Sequence, residues 1–516
     1  MQPLATERPA RIVMLVDNGV NGDSRVQKVA RAAADLGWDV TLLGIAPHGA
    51  EKRWTLGEAK VRLLRMPKVL AKGRHEFHRA MFRWPLAYPP TGIAEKRALV
   101  AQARHADLDI REAQLKLAGV PAGAMAWKVL RARRLATRAF GKWVWLRHKM
   151  LQRSRSGRKY RAPWDYAYSW FWQAVLRERA WRKLDPGLWD FELAYGKVID
   201  ELKPDLIHAN DFRMIGVGAR AVIRARAAGR DTKLVWDAHE FLPGVKPWHG
   251  NARWRPANMA HEREFAPYAD AVMTVSDTLA EMLRDSHHLA ELPTVVLNAP
   301  AMDHGPEGDD SPPRDLRADC GIGPDVPLMV YSGAAAEQRG LRTMVQALPE
   351  LPGVHVAFVV GKPQDRYVQS LVRDAKSLGV ADRVHLVTYV PHWQVVPYLA
   401  GADIGVIPIH HWPNHEIALI TKFFEYSHAR LPLVVSDVRT MAATVESTKQ
   451  GEVFRAEDVP DFVRAVKAVL ADKARYQAVY DTPGLLQGWT WDAQVATLEK
   501  LYRRLLGDVT NPEFGA

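Results

Sequence analysis

The chain has 516 residues, 47% of them hydrophobic, so it can bury more than one sizeable core and extends over two or three domains. Its net charge of +13 is concentrated between residues 127 and 183, where 17 Lys and Arg face two acidic residues, and the remainder is close to neutral. One cysteine, Cys320, excludes an intrachain disulfide and a thiolate metal cluster, which is typical of a reducing compartment. The first residues lack a signal-peptide pattern, and no apolar stretch reaches the roughly 20 residues that span a bilayer, so we expect a cytoplasmic protein.

An alternation of continuous apolar runs and amphipathic helices begins at residue 11 and predicts a parallel sheet that is buried on both faces. The run RIVMLV is followed by the glycine-containing loop DNGVNGDS, a helical pattern and the run DVTLLGI. The alternation resumes at Asp205 with DLIHAND, a helix from about Gly216, KLVWDAHE, a helix near Ala260 and AVMTVS. Residues 1–300 are therefore predicted to form a Rossmann-like N-terminal domain.

Residues of about 68–194 interrupt that domain with a basic, helical insertion. Its cations alternate with tryptophans, among them Trp143, Trp145, Trp164, Trp170, Trp172 and Trp181. Tryptophan beside Lys and Arg suits an anionic membrane surface or an anionic ligand, over about residues 127–183. The alternative is a helical subdomain whose tryptophans pack inward. Nucleic acid is not expected, because no recognised binding module accompanies the charge.

Residues 301–326 are rich in Pro, Gly and Asp and are predicted to form a linker. A second alternation follows, in which helices separate the apolar runs PLMVYSG, HVAFVVG, RVHLVTYV, DIGVIPI and LPLVVSD. It predicts a Rossmann-like C-terminal domain over residues 327–485. Residues 486–516 are predicted to form a helix that crosses back to the N-terminal domain. The expected fold class is therefore α/β, with two Rossmann-like domains.

Polar residues that follow the apolar runs are the candidate ligand-binding residues, because open parallel sheets bind ligands beyond the carboxyl ends of their strands. In the first loop, Gly19 and Gly22 permit close approach of the backbone to an anion at a helix N-terminus, or simply form a tight turn. Two later runs end in His208 and His239. A histidine there could hydrogen-bond a ligand hydroxyl or stabilise a developing charge, or else cap a helix.

The second half offers two groups of candidates. In YSGAAAEQRGL, Gly333 and Arg339 stand where a strand passes into a helix, and arginine can bind a diphosphate through two hydrogen bonds. The segment before LPLVVSD carries five polar side chains, Asn414, Glu416, Thr421, Lys422 and Glu425. If a helix begins near Thr421, Lys422 and Glu425 share one face and project a cation for phosphate and an anion for ribose hydroxyls into one cleft. The alternative is a plain helical salt bridge.

Other chemistries gain no comparable support. The pair Asp107 and Asp109 imitates a metal-binding Asp-x-Asp, but it lies in a predicted helix rather than at the end of a strand, so no metal site is expected. The sequence contains no Gly-x-Ser-x-Gly elbow, no His-Glu-x-x-His and no Walker loop, which argues against hydrolase, zinc-protease and P-loop enzymes.

These motifs together resemble the family-four glycosyltransferases, a large group of retaining enzymes with the GT-B fold, over essentially the whole chain except the insertion. The resemblance is carried by RIVMLVDNGVNGDSRVQKVARAAADLGWDVTLL, PDLIHANDF, KLVWDAHEFLP, YSGAAAEQRGL and above all KFFEYSHARLPLVVSD. It implies two Rossmann-like domains that face one another across a cleft. The nucleotide sugar would be bound mainly by the C-terminal domain and the acceptor mainly by the N-terminal domain.

The resemblance also implies a reaction, in which a hexosyl or related group passes from a UDP- or GDP-sugar to an acceptor hydroxyl with retention of configuration. The products expected are cell-surface polysaccharide, glycolipid or glycosylated metabolites. A lipid-linked molecule or an anionic glycan is the candidate acceptor, at the inner face of the cytoplasmic membrane. The leaving phosphate can itself take the acceptor proton, so no carboxylate nucleophile and no obligatory metal or cofactor is expected.

By position, the resemblance assigns the nucleotide ribose to Glu425 and the donor diphosphate to Arg339. Lys422 would assist Arg339 or bind the sugar, and the backbone around Tyr389 and Val390 would read the base. These residues make the C-terminal domain the expected donor site.

On the N-terminal side, the resemblance places His239 beside the donor sugar and the loop from Gly19 to Gly22 under the diphosphate. His239, Arg339 and Lys422 are therefore the expected catalytic residues, and the other candidates are expected to bind the donor.

Two departures from the family pattern qualify this assignment. The first glutamate of the family pair would fall at Ile417, so its role would pass to Glu416, Asn414 or a backbone group. The arginine that usually follows the C-domain glycine is replaced by Ala334, which leaves more of the diphosphate to Arg339. Two other functions remain as alternatives, a nucleotide-sugar epimerase of the same fold and a non-catalytic scaffold that has lost donor binding.

Overall fold

The computed structural model describes residues 8–46, 49–68, 70, 84–89, 91–155, 160–245, 250–301, 314–417 and 419–507. These residues form two sheets, each with a hydrophobic core on both of its faces. The predicted α/β architecture with two Rossmann-like domains is therefore confirmed. Within the described part of the chain, no helix is long and apolar enough to cross a bilayer.

The first sheet has eight strands, arranged in the order β3-β4-β2-β1-β5-β6-β7-β8. Their bounds are β1 (Arg11–Leu15), β2 (Asp39–Ile45), β3 (Lys52–Leu56), β4 (Ala59–Leu64), β5 (Leu206–Asn210), β6 (Lys233–Ala238), β7 (Ala271–Thr274) and β8 (Thr294–Val295). All neighbours are parallel except the hairpin of β3 and β4. The central strands are buried on both faces, which is why their sequences read as continuous apolar runs.

The first half of the chain also contains helices, several of which connect these strands and cover both faces of the first sheet. They are α1 (Ser24–Asp35), α2 (Ile93–Leu117), α3 (Met125–Arg155), α4 (Pro163–Leu176), α5 (Trp181–Leu184), α6 (Leu188–Leu202), α7 (Asp211–Ala227), α8 (Trp254–Phe265) and α9 (Asp277–His287). Helix α7 begins at Asp211, earlier than the start predicted near Gly216. Met214 and Ile215 are buried in the core of the first sheet, so the helix already packs there in its first turns.

The predicted insertion of about 68–194 has two parts in the structure. Helices α2 and α3 pack against one another around a small cluster that includes Leu108 and Leu130. From α4 onward the chain packs against the core of the first sheet, where Trp172 and Leu176 are partly buried and Trp181 and several residues of α6 are fully buried. Residues 71–83 lie outside the described residues. The part that stands apart from the sheet core therefore ends before α4.

The second sheet has six parallel strands in the order β11-β10-β9-β12-β13-β14. Their bounds are β9 (Leu328–Ser332), β10 (His355–Val359), β11 (Val384–Val387), β12 (Ile404–Ile407), β13 (Leu433–Ser436) and β14 (Gly451–Phe454). The helices of this half are α10 (Leu316–Cys320), α11 (Leu341–Ala347), α12 (Arg366–Ser377), α13 (Val395–Leu399), α14 (Thr421–His428), α15 (Arg439–Thr448), α16 (Val459–Ala471) and α17 (Lys473–Ala478). Helix α10 lies within the predicted linker of 301–326. This part of the linker belongs to the second domain, because Leu316 is buried in the core of the second sheet. Residues 302–313 lie outside the described residues.

The last described helix, α18 (Trp491–Leu506), packs against the first sheet rather than the second. Leu498 and Leu501 are buried in the first-sheet core beside β1 and β2. The Tyr502 hydroxyl lies 2.6 Å from His208 Nδ1 of β5, and the Tyr502 ring meets Trp38 edge to face. The chain thus returns to its first half after completing the second.

Replacing Leu498 with Ala should lower the free energy of unfolding by about 2–5 kcal/mol, because the fully buried side chain would leave a cavity between α18 and the first sheet. Chemical denaturation followed by circular dichroism measures this change. Lys500→Ala, on the exposed side of the same helix, is the control and should change stability by less than about 0.5 kcal/mol. Equal, small effects of the two substitutions would contradict the docking of α18 on this sheet.

Candidate active site

The carboxyl ends of the two sheets border a shared cavity of about 870 Å³. One wall consists of the β1–α1 loop, with Asn18, Asn21 and Gly22, and of His239 just after β6. The opposite wall consists of the residues that follow β9 and β11 and of the N-terminal turn of α14. Open parallel sheets bind their ligands at this edge, so the cavity is the candidate active site.

Nine of the predicted site residues line this cavity: Gly22, His239, Gly333, Arg339, Tyr389, Val390, Thr421, Lys422 and Glu425. Gly19, Asn414 and Glu416 are not among the residues that line it. Gly19 belongs to the β1–α1 loop, whose neighbouring residues reach the cavity. Asn414 and Glu416 have other contacts, described below.

Asn18 and Asp23 hold the β1–α1 loop in shape. Asn18 Oδ1 accepts a hydrogen bond from the Val20 amide at 2.7 Å, and its Nδ2 donates to Asp23 at 2.8 Å. Asp23 in turn caps α1 by accepting from the Val26 amide at 3.3 Å. Gly22 has a φ of 88°, a conformation that favours glycine. The loop can therefore bring bare backbone against a ligand in the cavity.

Lys422 is a buried lysine in the first turn of α14. Its Nζ lies 3.7 Å from the centre of the Tyr331 ring, and a Cβ on Gly333 would come within 2.9 Å of the same atom. Burial, together with the charge of Arg339, holds the pKa of Lys422 well below its ordinary value, while Glu425 acts in the opposite direction. A bound anion would offset the loss of hydration and the repulsion between the two cations.

Arg339 reaches the cavity from the turn between β9 and α11. Gly340 closes this turn with a φ of 70°, and a Cβ there would lie 1.7 Å from the carbonyl oxygen of Pro408, so only glycine fits. The guanidinium is thereby held on the same side of the cavity as Lys422, close enough for its charge to lower the pKa of that lysine. Two cations of one wall thus face the loop of the other.

Glu425 follows Lys422 by one turn of α14 and lines the same cavity. Burial raises the pKa of its carboxyl, and the charges of Lys422 and Lys28 oppose this change. Lys422 and Glu425 act on one another through their charges rather than through a direct hydrogen bond. Both side chains therefore remain directed to the cavity, as the sequence predicted for a shared helix face.

Tyr389 provides a flat, half-exposed aromatic surface at the edge of the cavity. Its ring lies against Gly361, where an added Cβ would come within 2.7 Å of the ring. The absence of a side chain at Gly361 is thus what allows the ring to lie there. A planar ligand group could stack on such a surface.

His239 lies between two carboxylates on the opposite wall. Its Nδ1 is 3.4 Å from Asp211 and its Nε2 is 3.0 Å from Asp237. Burial by itself would lower the pKa of His239, but the charges of Asp211 and Asp237 outweigh it and raise the pKa well above the ordinary value. The raised pKa favours the imidazolium form of His239, in which its chemical contribution is a positive charge.

Asp237 is the centre of a buried network behind His239. It is fully buried and accepts two hydrogen bonds from Arg25, at 2.9 and 3.0 Å. Arg25 also donates to the carbonyl of Val296 at 2.7 Å. His208 Nε2 lies 3.6 Å from the same carboxylate, and its other nitrogen meets Tyr502. Arg25 therefore serves to hold Asp237, and His208, which the sequence offered as a possible ligand contact, links Asp237 to α18.

The segment from Pro413 to Ile417 joins the two sheets instead of lining the cavity. Asn414 Oδ1 accepts a hydrogen bond from the Phe241 amide at 3.1 Å, and Ile417 is buried in the core of the first sheet. Glu416 accepts from the Arg439 amide at 2.8 Å and pairs with a neighbouring histidine. The hypothesis that Asn414 or Glu416 replaces the missing family glutamate gains no support from these contacts.

Some residues of the cavity were missed by the sequence analysis. Asn298 donates a hydrogen bond to Thr421 at 2.8 Å and so ties the start of α14 to the segment after β8. The sequence contained a sign of this residue, because Asn298 is the polar residue that directly follows the apolar residues of TVVLNAP. His392 and Tyr398, which also line the cavity, follow β11 without a comparable pattern. Within the described residues, no group of three or more His, Cys, Asp or Glu side chains could hold a metal ion.

Comparison with known proteins identifies two matching family models. Glycosyltransferase Family 4 matches residues 153–299, and Glycosyl transferases group 1 matches residues 326–472. Together these two regions cover more than half of the chain, and they fall on the two halves that border the cavity.

Two curated relatives illustrate the similarity in sequence. A GDP-mannose-dependent alpha-(1-6)-phosphatidylinositol monomannoside mannosyltransferase of Mycolicibacterium smegmatis is 30% identical over 39% of this chain and 56% of its own. A D-inositol 3-phosphate glycosyltransferase of Nocardia farcinica is 23% identical over 46% of this chain and 59% of its own. The chain thus spans little more than half the length of these relatives.

Solved structures share the fold at low sequence identity. Sucrose-phosphate synthase from Thermosynechococcus elongatus has a TM-score of 0.60 and 16% identity, covering 96% of this chain and 99% of its own. HepE from Anabaena, in complex with UDP and glucose, has a TM-score of 0.54 and 13% identity, covering 96% and 100%. These likenesses confirm the predicted GT-B fold.

Replacing Asp211 with Asn should lower the pKa of His239 by about one to three pH units, because one of its two flanking charges is removed. Asp211 has a φ of 63°, which Asn tolerates, so the backbone is not strained by this change. NMR of ring-labelled histidine, with His239→Gln to assign the signal, measures the pKa.

The ion pairs of His239 with Asp211 and Asp237 add stability to the folded protein. This stability is fully present below the pKa of histidine in the unfolded chain, near 6.5, and is lost as the pH rises through the raised pKa of His239 in the folded state. Asp231→Asn, at an exposed position, is the control and should leave the His239 signal unchanged. A neutral His239 at pH 7 in the unsubstituted protein would contradict the assigned charge.

Proposed function

Because the chain belongs to the family-four, group 1 glycosyltransferases, we propose that it transfers a sugar from a nucleoside-diphosphate-sugar to an acceptor hydroxyl with retention of configuration. The observation that carries this proposal is the pair of cations, Arg339 and Lys422, held together in the cavity opposite the glycine loop. Bringing two cations together is unfavourable unless an anion joins them. A diphosphate has the charge and the size for this role.

The diphosphate of the donor would lie between Arg339, Lys422 and the β1–α1 loop. Gly333 leaves room for it beside Lys422, and Gly22 lets the loop backbone approach from the other wall. HepE, which shares the fold, is described in complex with UDP and glucose, and the mannosyltransferase relative is named as GDP-mannose-dependent. A UDP- or GDP-sugar is accordingly the proposed donor.

The nucleoside would extend from the diphosphate along the second wall. Glu425, with Thr421 beside it, would accept hydrogen bonds from the ribose hydroxyls. The base would lie near Tyr389 and Val390, where the ring of Tyr389 offers a stacking surface.

In the transfer, the bond between the anomeric carbon and the phosphate oxygen breaks, and a bond to the acceptor oxygen forms on the same face of the sugar. The acceptor proton passes to the leaving phosphate. Arg339 and Lys422 would neutralise the charge that develops on that phosphate, and this electrostatic effect is the main contribution of the protein. No protein carboxylate is required as a nucleophile.

His239 would border the sugar from the first wall. Because both of its ring nitrogens face carboxylates, its contribution is a fixed positive charge near the leaving diphosphate rather than a proton exchanged during the reaction. This role differs from that of a general base, which needs a pKa close to the working pH.

We propose a hexosyl group as the transferred sugar and a lipid-linked molecule or an anionic glycan as the acceptor. The name of one relative supports a lipid-linked acceptor, since it is a phosphatidylinositol monomannoside mannosyltransferase, and the name of the other, for D-inositol 3-phosphate, supports an anionic acceptor. The proposed location is the cytoplasmic side of a membrane, where such an acceptor would be reached.

Incubation with a panel of UDP-, GDP- and dTDP-sugars tests the proposed reaction. Release of the nucleoside diphosphate, with a product whose anomeric configuration matches that of the donor, is expected for one or more of them. A changed sugar that stays attached to its nucleotide would instead identify an epimerase, and failure to bind any donor would identify a scaffold.

Replacing Arg339 with Ala or Lys422 with Met should lower kcat/KM on the accepted donor by about 10²- to 10³-fold, because each removes a charge that stabilises the leaving diphosphate. Lys422→Met should also raise the melting temperature, since the ammonium is buried at a cost to the folded state. Steady-state kinetics and thermal melts provide the two readouts.

The matched controls are Arg373→Ala and Lys376→Met, at exposed positions on α12. Both should keep kcat/KM within about twofold and leave the melting temperature nearly unchanged. Full activity of Lys422→Met would remove Lys422 from the proposed mechanism.

A further inference from the structure

Helix α4 buries its polar side and exposes its apolar side. Asp165 and Ser169 are 1% and 3% exposed, whereas Trp170 and Phe171 are 71% and 50% exposed. A helix on the surface of a water-soluble domain has the opposite arrangement, with its apolar stripe against the core.

The exposed half of α4 carries no charge. It consists of Pro163, Trp164, Tyr166, Ala167, Trp170, Phe171, Ala174 and Val175. At 100° per residue these positions cover about half of the helix circumference. Single exposed apolar residues are ordinary on a protein surface, but a continuous aromatic face of this size indicates a binding surface.

The buried half of α4 fixes the helix in this orientation. Asp165 accepts a hydrogen bond from Arg253 at 2.9 Å, and the guanidinium of Arg253 lies 4.0 Å from the centre of the Tyr168 ring. Trp172 and Leu176 pack against the core of the first sheet. Rotation of α4 to hide its apolar half would break the Asp165–Arg253 pair and leave a buried charge without its partner.

We propose that α4 docks on an anionic lipid bilayer, lying flat in the interface with Trp170 and Phe171 among the lipid chains. Aromatic side chains prefer this depth, and cations beside an apolar face bind the lipid phosphates. Arg161 is exposed at the N-terminal end of α4, and Arg177 and Arg179 are exposed at its C-terminal end.

The charge of this region favours a lipid surface over a second copy of the chain. Residues 127–183 contain 17 Lys and Arg but two acidic residues. Two copies that meet through α4 would bring these positive surfaces together, and like charges in contact repel. An anionic bilayer attracts them, with a strength that falls as salt is added.

The docking helix is tied to the wall of the candidate active site. Tyr160 and Arg161, just before α4, bond to the backbone of Ala252 and Gly250 at 2.9 and 2.8 Å. Those two residues lie in the segment that leads from Glu240, at the cavity, into α8. Docking would therefore hold the cavity near the lipid, and this consequence rests on the proposed function, whereas the docking itself does not.

Site-specific fluorescence tests the docked face directly. In a Cys320→Ala background, the environment-sensitive dye NBD would be attached through Ala167→Cys or Ala174→Cys on α4, and through Ala471→Cys on α16 as the control. With vesicles of phosphatidylglycerol and phosphatidylethanolamine at physiological salt, NBD emission should shift to the blue and rise at 167 and 174 but not at 471. No change at 167 and 174, or the same change at all three positions, would overturn the proposal.

A variant pair then identifies the side chains responsible. Trp170→Gln with Phe171→Gln should weaken vesicle binding at least tenfold, measured by flotation. The control, Leu292→Gln with Leu378→Gln, removes exposed apolar side chains elsewhere and should keep vesicle binding. Concentration-dependent self-association that the first variant abolishes, without vesicle binding by the unsubstituted protein, would overturn the proposal in favour of a second copy.

Release of nucleoside diphosphate from the donor, assayed without lipid, separates this inference from the proposed function. It should be unchanged in the Trp170→Gln, Phe171→Gln variant. Donor turnover with no vesicle binding would defeat the docking alone, and vesicle binding with no turnover on any donor would defeat the proposed function alone.

Discussion

The N-terminal half of the site depends on the ion pairs that the buried carboxylate of Asp237 forms with Arg25 and His239. A fully buried charge is tolerated when hydrogen bonds and opposite charges surround it, and removal of one partner typically costs about 3–5 kcal/mol. Here Arg25 from α1 supplies two hydrogen bonds and His239 supplies a second positive charge. The same guanidinium fixes the segment after β8 through Val296, and His208 links the carboxylate to α18. One side chain thus sets the positions of a loop wall, a site cation and the returning helix.

The two walls of the cavity treat positive charge in opposite ways. On the first wall, the charge of His239 is stabilised by Asp211 and Asp237, so its pKa is raised. On the second wall, Lys422 is buried beside Arg339, and its pKa is lowered. On the first wall, carboxylates of the protein balance the charge of His239. On the second wall, an anionic ligand would balance the charges of Arg339 and Lys422. This difference would place the binding of an anion on the C-terminal half.

The sequence was sufficient for the alternation of strands and helices, because buried parallel strands leave continuous apolar runs and their polar termini mark the ligand edge. It did not predict the hairpin of β3 and β4, whose exposed edge strand alternates polar and apolar residues too weakly to stand out. The sequence also did not predict the contacts of Arg25 with Asp237 and of Asn414 with Phe241, because the two residues of each pair lie more than 150 positions apart in the chain. The reversed burial of α4 could not be derived from composition alone, because tryptophans in a helix with cations on either side of it in the chain fit an inward or an outward aromatic face.

The burial of Ile417 has a consequence for how the protein can move. This side chain comes from the second half of the chain but lies in the core of the first, beside the contact of Asn414 with Phe241. Pulling the halves apart at this point would expose the apolar side chain of Ile417 and break the hydrogen bond from the Phe241 amide to Asn414, whereas rotation about this point would cost neither. The segment from Pro413 to Ile417 is thus suited to be a pivot between the two halves. With this pivot held in place, the cavity would open at the edge that lies farthest from it. A relative motion of the two halves about this segment would therefore be a tilt rather than a separation.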